Sequence, residues 1–511
     1  VQTTPIFTIP PRCASSIANS PSIINHYITN VQFNTINNNS TFDSNGDNYQ
    51  NFQAITTIVQ KGFSYQLKIK TFGAAALGRV AWIDLNGDNS FSGPGENILL
   101  PQSPVAGTST HIITIPCTGI NGTVRLRVMA IDGTPSADAC NVTGYNSGEI
   151  EEYTLNITGT GYGTWIGVTN DWCLPSNWAC NTVPNGSIDV TIPAASAQIT
   201  LNCNATCRDI NFQTTPPYFV ANGLNTNGFK LNVKGNWTVS GSANSSTSIV
   251  DPTLSPGSVE FNSTLGAQSI GGKTTFNNLT INNTSGTTTL NNSTNVTGVL
   301  TTTAGVLASN GFLVLRSVAG KTALVNPLSG SITGDVSVER KIGSTSGYHY
   351  LASPVNGAFI NNTVNGWRDD FTILSSLDGQ VFIPGNVYNQ LATVWEYNEA
   401  DLNPNPNYGW IGATGAADPI TPFKGFACIV SGNITVDVKG TLNNGTIPGG
   451  FALTKVSDGL NLIGNPYPSP ISWNALQAKN NTILSPSGYK AFVSTGGYAG
   501  AYGNWDGSVG T

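Results

Sequence analysis

Val80-Ala81-Trp82-Ile83-Asp84-Leu85-Asn86-Gly87-Asp88-Asn89-Ser90-Phe91, followed by Glu96, runs from an apolar strand-like stretch directly into a polar turn. Asp84, Asn86 and Asp88 place oxygen-bearing side chains at every second position. Ser90 and Ser92 continue the spacing, and Glu96 adds a carboxylate further on. A chain wraps a hard cation such as calcium in this way: alternate residues point inward and a distal Glu closes the shell. A plain turn is the competing reading, because Asn-Gly is a favoured hairpin dipeptide and Asp and Asn are common turn residues. Asn89 stands where a calcium loop usually carries glycine, and Asn tolerates that left-handed backbone. Glu96 lies one position later than a twelve-residue loop requires, so helix–loop–helix geometry is ruled out.

The chain around this loop is β-rich by composition. Its 511 residues predict about three or four domains. Hydrophobic content of 39%, with 20 Phe, 16 Tyr and 10 Trp, excludes wholesale disorder. The polar remainder is Asn, Thr, Ser and Gly, with 57 Gly and 28 Pro, which indicates many short strands joined by turns. The best helical segment, residues 472–479, spans barely two turns. A net charge of −6 with scattered Lys and Arg excludes a nucleic-acid partner, which needs a concentrated basic face. No apolar run approaches the roughly eighteen residues of a transmembrane segment. The only methionine is Met129 and the chain begins Val1-Gln2-Thr3, so a processed chain or a fragment is expected, with signal-peptide removal the simplest route.

Three regions follow. Residues 1–157 form a first unit with alternating strands such as Gln66-Leu67-Lys68-Ile69-Lys70 and Thr123-Val124-Arg125-Leu126-Arg127-Val128. This pattern predicts a β-sandwich whose sheets each face water on one side. Residues 158–163 read as a glycine-rich linker. From 164 to 342 short apolar runs recur at loose intervals of about twenty residues, as expected of a stacked β-solenoid. A right-handed parallel β-helix is the leading form and a sandwich the rival. Residues 343–511 carry an echo, Gly347–Val355 against Gly459–Tyr467, each ending at Ser-Pro or Asn-Pro, so a duplicated β-sandwich-like module is expected. Its second copy stops short at Thr511 and reads as incomplete.

Eight cysteines point to an oxidising compartment. Cys173, Cys180, Cys203 and Cys207 form a close group with three pairings open, and zinc is disfavoured because no paired C-x-x-C occurs. Cys13, Cys117 and Cys140 leave one odd thiol, and Cys428 is expected to be buried and free. Among other motifs, Glu149, Glu151 and Glu152 cluster in Gly148-Glu149-Ile150-Glu151-Glu152-Tyr153, with Glu149 and Glu151 on one strand face and Glu152 on the other with Ile150. Paired carboxylates can serve as acid and base; ion pairing with Arg125 and Arg127 is the favoured structural reading. Residues 267–274 match a permissive phosphate-loop pattern, but a strand-like stretch follows where a helix is needed. His26, His111 and His349 sit in no metalloprotease pattern, and no G-x-S-x-G turn occurs. No catalytic site is expected.

These motifs carry a resemblance. The first unit resembles a GEVED domain, whose acidic signature here reads Gly148-Glu149-Ile150-Glu151-Glu152, with Ile for the central Val and Glu152 for the final Asp. The Trp82–Glu96 stretch and the Arg125, Arg127, Cys140 series match the same family. The family layout implies a Cys13–Cys140 disulfide, leaves Cys117 unexplained, and favours calcium at Asp84, Asn86, Asp88, Ser90 and Glu96. The remainder resembles modular surface proteins of Bacteroidetes exported by the type IX secretion system, through Thr164-Trp165-Ile166-Gly167, Asp171-Trp172, Asn177-Trp178, Val183-Pro184 and residues 464–469. The resemblance implies an extracellular or outer-surface, non-enzymatic adhesin or structural protein. Its partners would be the type IX secretion machinery during export and a glycan or surface ligand. Self-association into filaments by strand addition is the alternative function, and a polysaccharide-active enzyme on a β-helix is the third, by fold analogy alone.

Overall fold

The computed structural model describes residues 26–505 except 44–47, 73–75, 141–144, 146, 160, 195, 215–222, 242–245, 251–256, 361, 374–391, 402–408, 414–417, 487 and 497–498. Half the chain is strand and 3% is helix. The described helix, Trp473–Lys479, is capped by Ser472, whose side chain accepts from the Ala475 N–H. Contacts divide the chain into two compact units, residues 1–168 with 174–183, and residues 169–173 with 184–511.

The first unit is a sandwich of nine strands: β1 (Ile28–Phe33), β2 (Ile36–Asn39), β3 (Tyr49–Gln60), β4 (Ser64–Thr71), β5 (Leu77–Ile83), β6 (Asn97–Val105), β7 (Thr108–Thr114), β8 (Gly122–Asp132) and β9 (Gly148–Thr158). One sheet runs β2-β1-β4-β7 and the other β3-β9-β8-β5-β6. All pairings are antiparallel except β3 with β9. The interior core joins Val31, Phe33, Leu67, Ile69 and Ile113 of the first sheet to Ala81, Ile83, Leu126, Val128, Tyr153 and Leu155 of the second. Alternation along these strands sends every second side chain inward.

The expectation that each sheet wets one face fails for the five-stranded sheet. Its outer face carries a second core of Val80, Trp82, Phe91, Met129, Ile131, Ala139 and Ile150. Loop residues Phe91 and Ala139 cover it, and the Trp82 indole donates to Ala137 O at 3.0 Å. Arg125 and Arg127, which alternation alone would leave in water, are therefore buried.

The disulfides also differ from the expected group of four. Cys117 pairs with Cys180, and Cys173 with Cys203, with Cα separations of 5.9 and 6.1 Å. The odd Cys117 is thereby explained, and it ties residues 174–183 to the sandwich, where Trp165 and Trp178 bridge and pack edge to face. Cys140 is disulfide-bonded, and Cys13, its implied partner, lies outside the described residues. Cys207 is free, contrary to expectation. It lies in strand Ala205–Cys207, pairs in register with Val233, and faces the buried solenoid interior. Burial drives its thiol pKa upward. Cys428 is buried and free.

From Val190 the second unit coils as a parallel β-helix with three strand columns. Val190, Ile210, Trp237, Ile270 and Leu290 stack in register in one column, and Ala205, Leu231, Val259, Leu279, Leu300 and Val325 in another. A third runs from Ile199–Thr200 to Asp335–Lys341. The expected interval of about twenty holds from Val190 to Ile210, Val259 to Leu279, Ile270 to Leu290 and Leu279 to Leu300, and lengthens at other steps, most from Trp237 to Ile270. Trp237 anchors the interior against Phe212 and Phe276, with centroids at 5.0 and 5.2 Å. The phosphate-loop match falls on strands Gln268–Gly271 and Lys273–Phe276 of this coil, so no helix follows it.

Strand Asp335–Lys341 ends the coil and pairs antiparallel with Thr435–Leu442. The first half of the internal echo builds a four-stranded sheet, ordered Gly347–Leu351, Phe426–Val430, Val394–Tyr397, Trp410–Gly412. The second half is built differently. Ile463 makes only an isolated bridge to Lys424, and Tyr489–Gly496 pairs with Ala499–Trp505 as a hairpin. Pro466, Pro468 and Pro470 deprive the segment after Ile463 of backbone donors.

Candidate metal centre and the acidic strand

The Asp84 loop leaves β5 and is held at its ends by the sheet. Ile83 N donates to Glu96 O at 2.9 Å, Asp84 N to Arg125 O at 3.0 Å, and Ile120 N to Leu85 O at 2.9 Å. Inside the loop each acid is positioned by backbone donors. Asp84 accepts from Asp88 N and Asn89 N at 3.1 and 3.0 Å. Glu96 accepts from Leu85 N and Asn86 N on one oxygen, at 3.1 and 3.3 Å, and from Gly93 N on the other at 2.6 Å. Asp88 accepts from Ser90 N at 2.7 Å, and Asn86 Oδ1 accepts from Asp88 N at 2.8 Å. Ser90 Oγ lies 2.7 Å from Ser92 Oγ.

Two backbone positions enforce this geometry. Asn89 adopts φ 67°, the left-handed conformation expected for it. Gly87 has φ +70°, and a Cβ there would stand 2.6 Å from Ile120 Cδ1.

Carboxylate oxygens of Asp84, Asp88 and Glu96 lie within 4.8 Å of one another. Asp84 and Glu96 are buried, at 2% and 1% exposure, whereas Asp88 is exposed. Burial raises the pKa of Asp84, against the pull of the Asn89 N–H and the Arg125 charge. Burial also raises Glu96, with the neighbouring Asp84 and Asp88 charges adding to it. The chain's own donors thus leave the clustered negative charge undercompensated. The donor set is hard oxygen throughout, and it fits calcium.

The acidic strand β9 divides its three glutamates between two faces. On the outer face Glu152 accepts twice on one oxygen from Arg127, at 2.8 and 2.6 Å, and its other oxygen accepts from Tyr49 and Gln53 at 2.9 and 2.8 Å. Burial alone would raise its pKa, but the Arg127 and Arg125 charges outweigh burial and hold it low. Glu149 and Glu151 point into the sandwich. Glu149 accepts from Ile28 N at 2.7 Å and from the Gln50 amide, and Glu151 accepts from the Tyr153 hydroxyl at 2.5 Å. Burial, followed by the Glu151 charge, pushes Glu149 up to about 8, and burial pushes Glu151 up to about 7. Each glutamate is thus engaged in holding strands together.

Arg125 joins the two motifs. Its Nε lies 4.0 Å from Asp84 Oδ2 and its Nη1 3.5 Å from Glu152 Oε2, and it donates through Nη2 to Asn89 O. Phe91 lies beneath both guanidinium groups at 4.8 Å. Sequence reading paired the arginines with the glutamates generally; it missed Phe91 and the buried Arg79. It also missed a second acidic group, in which the adjacent Asp369 and Asp370 meet Asp437 from far along the chain. There Asp370 accepts from Asp437 N at 2.7 Å, and burial pushes it up to about 7.

No curated protein matches the chain. Residues 78–156, running from β5 through β9 and containing both acidic motifs, match the GEVED domain family, and a GEVED domain is therefore present in the first unit.

Proposed function

We propose that this protein is a secreted or cell-surface structural protein of adhesin type, exported by the type IX secretion machinery. Its first unit is braced by calcium held by Asp84, Asn86, Asp88 and Glu96, with Ser90 at the edge of the shell. The observation that carries the calcium reading is the convergence of three carboxylates, two of them buried, on backbone donors that leave their charge undercompensated. Calcium would supply the missing positive charge and lock the loop onto β5 and β8. The Cys117–Cys180 and Cys173–Cys203 disulfides fit an oxidising exterior.

The β-helix supports the adhesive part of the reading. Thr206, Asn232, Glu260, Thr280 and Thr301 align in one column beside the buried interior residues. Glu260 is buried and held by Lys230 and Asn282, but the half-buried Thr206, Asn232, Thr280 and Thr301 of this ladder offer hydrogen-bonding groups suited to a glycan or polar surface. Attachment of a deletion strain to polysaccharide-coated surfaces tests it: reduced attachment restored by the wild-type chain supports the proposal, and unchanged attachment and surface structure overturns it.

A further inference from the structure

We propose that Arg79, Ser109 and His111 form a buried site for a small monovalent anion, of which chloride is the common example, between the two sheets of the sandwich. Arg79 occupies the same alternation in β5 as Ala81 and Ile83, so it enters the interior, where it is 0% exposed. Its Nη1 donates to Leu77 O and Val105 O at 3.0 and 2.9 Å. Its Nη2 donates to Thr71 Oγ1 and Gly107 O at 3.2 and 2.7 Å. All four acceptors are neutral, and the Nε is buried with no partner.

The facing strand supplies the rest of the site. Gly107 leads into β7, where Ser109 lies opposite Ile69 and His111 opposite Leu67. Ile69 and Leu67 belong to the interior core, so Ser109 and His111 share that inward face. Ser109 Oγ and His111 Nε2 are both buried without hydrogen-bond partners. Burial lowers the His111 pKa, and the Arg79 charge lowers it further, which places the two groups within electrostatic reach.

Among the described residues no carboxylate pairs with Arg79. Asp132, two residues beyond Ala130 on the adjacent strand, is exposed, and Glu149 shares the inward face in the row Arg79, Ala130, Glu149. That puts it two strands away, about 10 Å. Its oxygens are taken by Ile28 N and Gln50, and with its pKa raised to about 8 it is mostly protonated at neutral pH. A buried cation without a counter-charge is costly. A water molecule would satisfy the unpaired Arg79 Nε but not the charge. A monovalent anion satisfies both, and a divalent anion would overcompensate the single cation.

Bromide serves as the probe, against gluconate at matched ionic strength. The proposal predicts a bromide anomalous peak contacting Arg79 Nε in crystals of the full chain, and a saturable rise in the sandwich melting temperature with bromide but not gluconate. Ser109→Ala should raise the bromide concentration for half the shift roughly tenfold, the loss of one charge-assisted hydrogen bond. Water at the position, or identical melting curves in bromide and gluconate, would overturn the site. So would a peak whose occupancy is unchanged in the Ser109→Ala, His111→Phe double variant, which would mark an adventitious ion only.

Discussion

Arg127 grips Glu152 through two hydrogen bonds to a single carboxylate oxygen, on the outer face of a sheet where both side chains are at most 1% exposed. A pair so thoroughly removed from water is stable only while both members are present. Glu152→Ala leaves Arg127 and Arg125 facing Phe91 without a full counter-charge. Replacement should lower sandwich stability by roughly 3–5 kcal/mol, read as a fall in the sandwich melting transition with the β-helix transition unchanged.

Calcium should act on the same unit. If the ion binds only the folded loop, excess calcium stabilises by mass action, about 2.7 kcal/mol at a hundred times the dissociation constant. Chelation should therefore lower the melting temperature of the wild-type sandwich and have no effect on Asp84→Ala. Equal melting curves with and without chelator in the wild type would remove calcium from the account.

The pH dependence has a defined sign at Glu149. Its pKa rises from 4.5 in an ordinary carboxyl to about 8 in the fold. The folded chain therefore holds a proton that the unfolded chain releases, and the stabilisation is complete below pH 4.5 and lost as pH rises through 8. Glu149→Gln, which keeps an uncharged acceptor at the same place, should match the wild type at pH 5 and melt at higher temperature at pH 9. A variant less stable than the wild type at pH 9 would contradict this assignment.

In the β-helix, Trp237 packs against Phe212, Phe261 and Phe276 and donates to Thr274 Oγ1 at 3.1 Å. Trp237→Ala opens a large cavity where several rungs meet, and should cost roughly 3–5 kcal/mol. Chemical denaturation monitored by intrinsic fluorescence would show it.

Thiol mapping provides a separate check on the covalent framework. Non-reduced peptides should contain Cys117 linked to Cys180 and Cys173 linked to Cys203. Cys207 and Cys428 should resist alkylation in the folded protein and react after denaturation, because burial keeps both as inaccessible thiols.

The sequence alone determined what is local. Alternation in Gln66–Lys70 and Thr123–Val128 fixes strands, Asn89 fixes a left-handed turn, and the spacing of Asp84, Asn86 and Asp88 gathers oxygen donors within one short loop. The two faces of Glu149, Ile150, Glu151 and Glu152 follow from the period of a strand. Which face would be wet did not follow, because the loop residues that cover Met129 and Ile150 arrive from elsewhere in the chain. The cysteine pairing was likewise out of reach: Cys207 lies four residues from Cys203, yet its strand turns it inward, while Cys117 meets Cys180 across 63 positions. Arg79 shows the same division. Its place in a strand is readable from Leu77–Ile83, but only the tertiary structure shows that its guanidinium is buried and donates to the distant Thr71, Val105 and Gly107. Short-range periodicity sets where a side chain points; what it meets there depends on contacts between segments far apart in sequence.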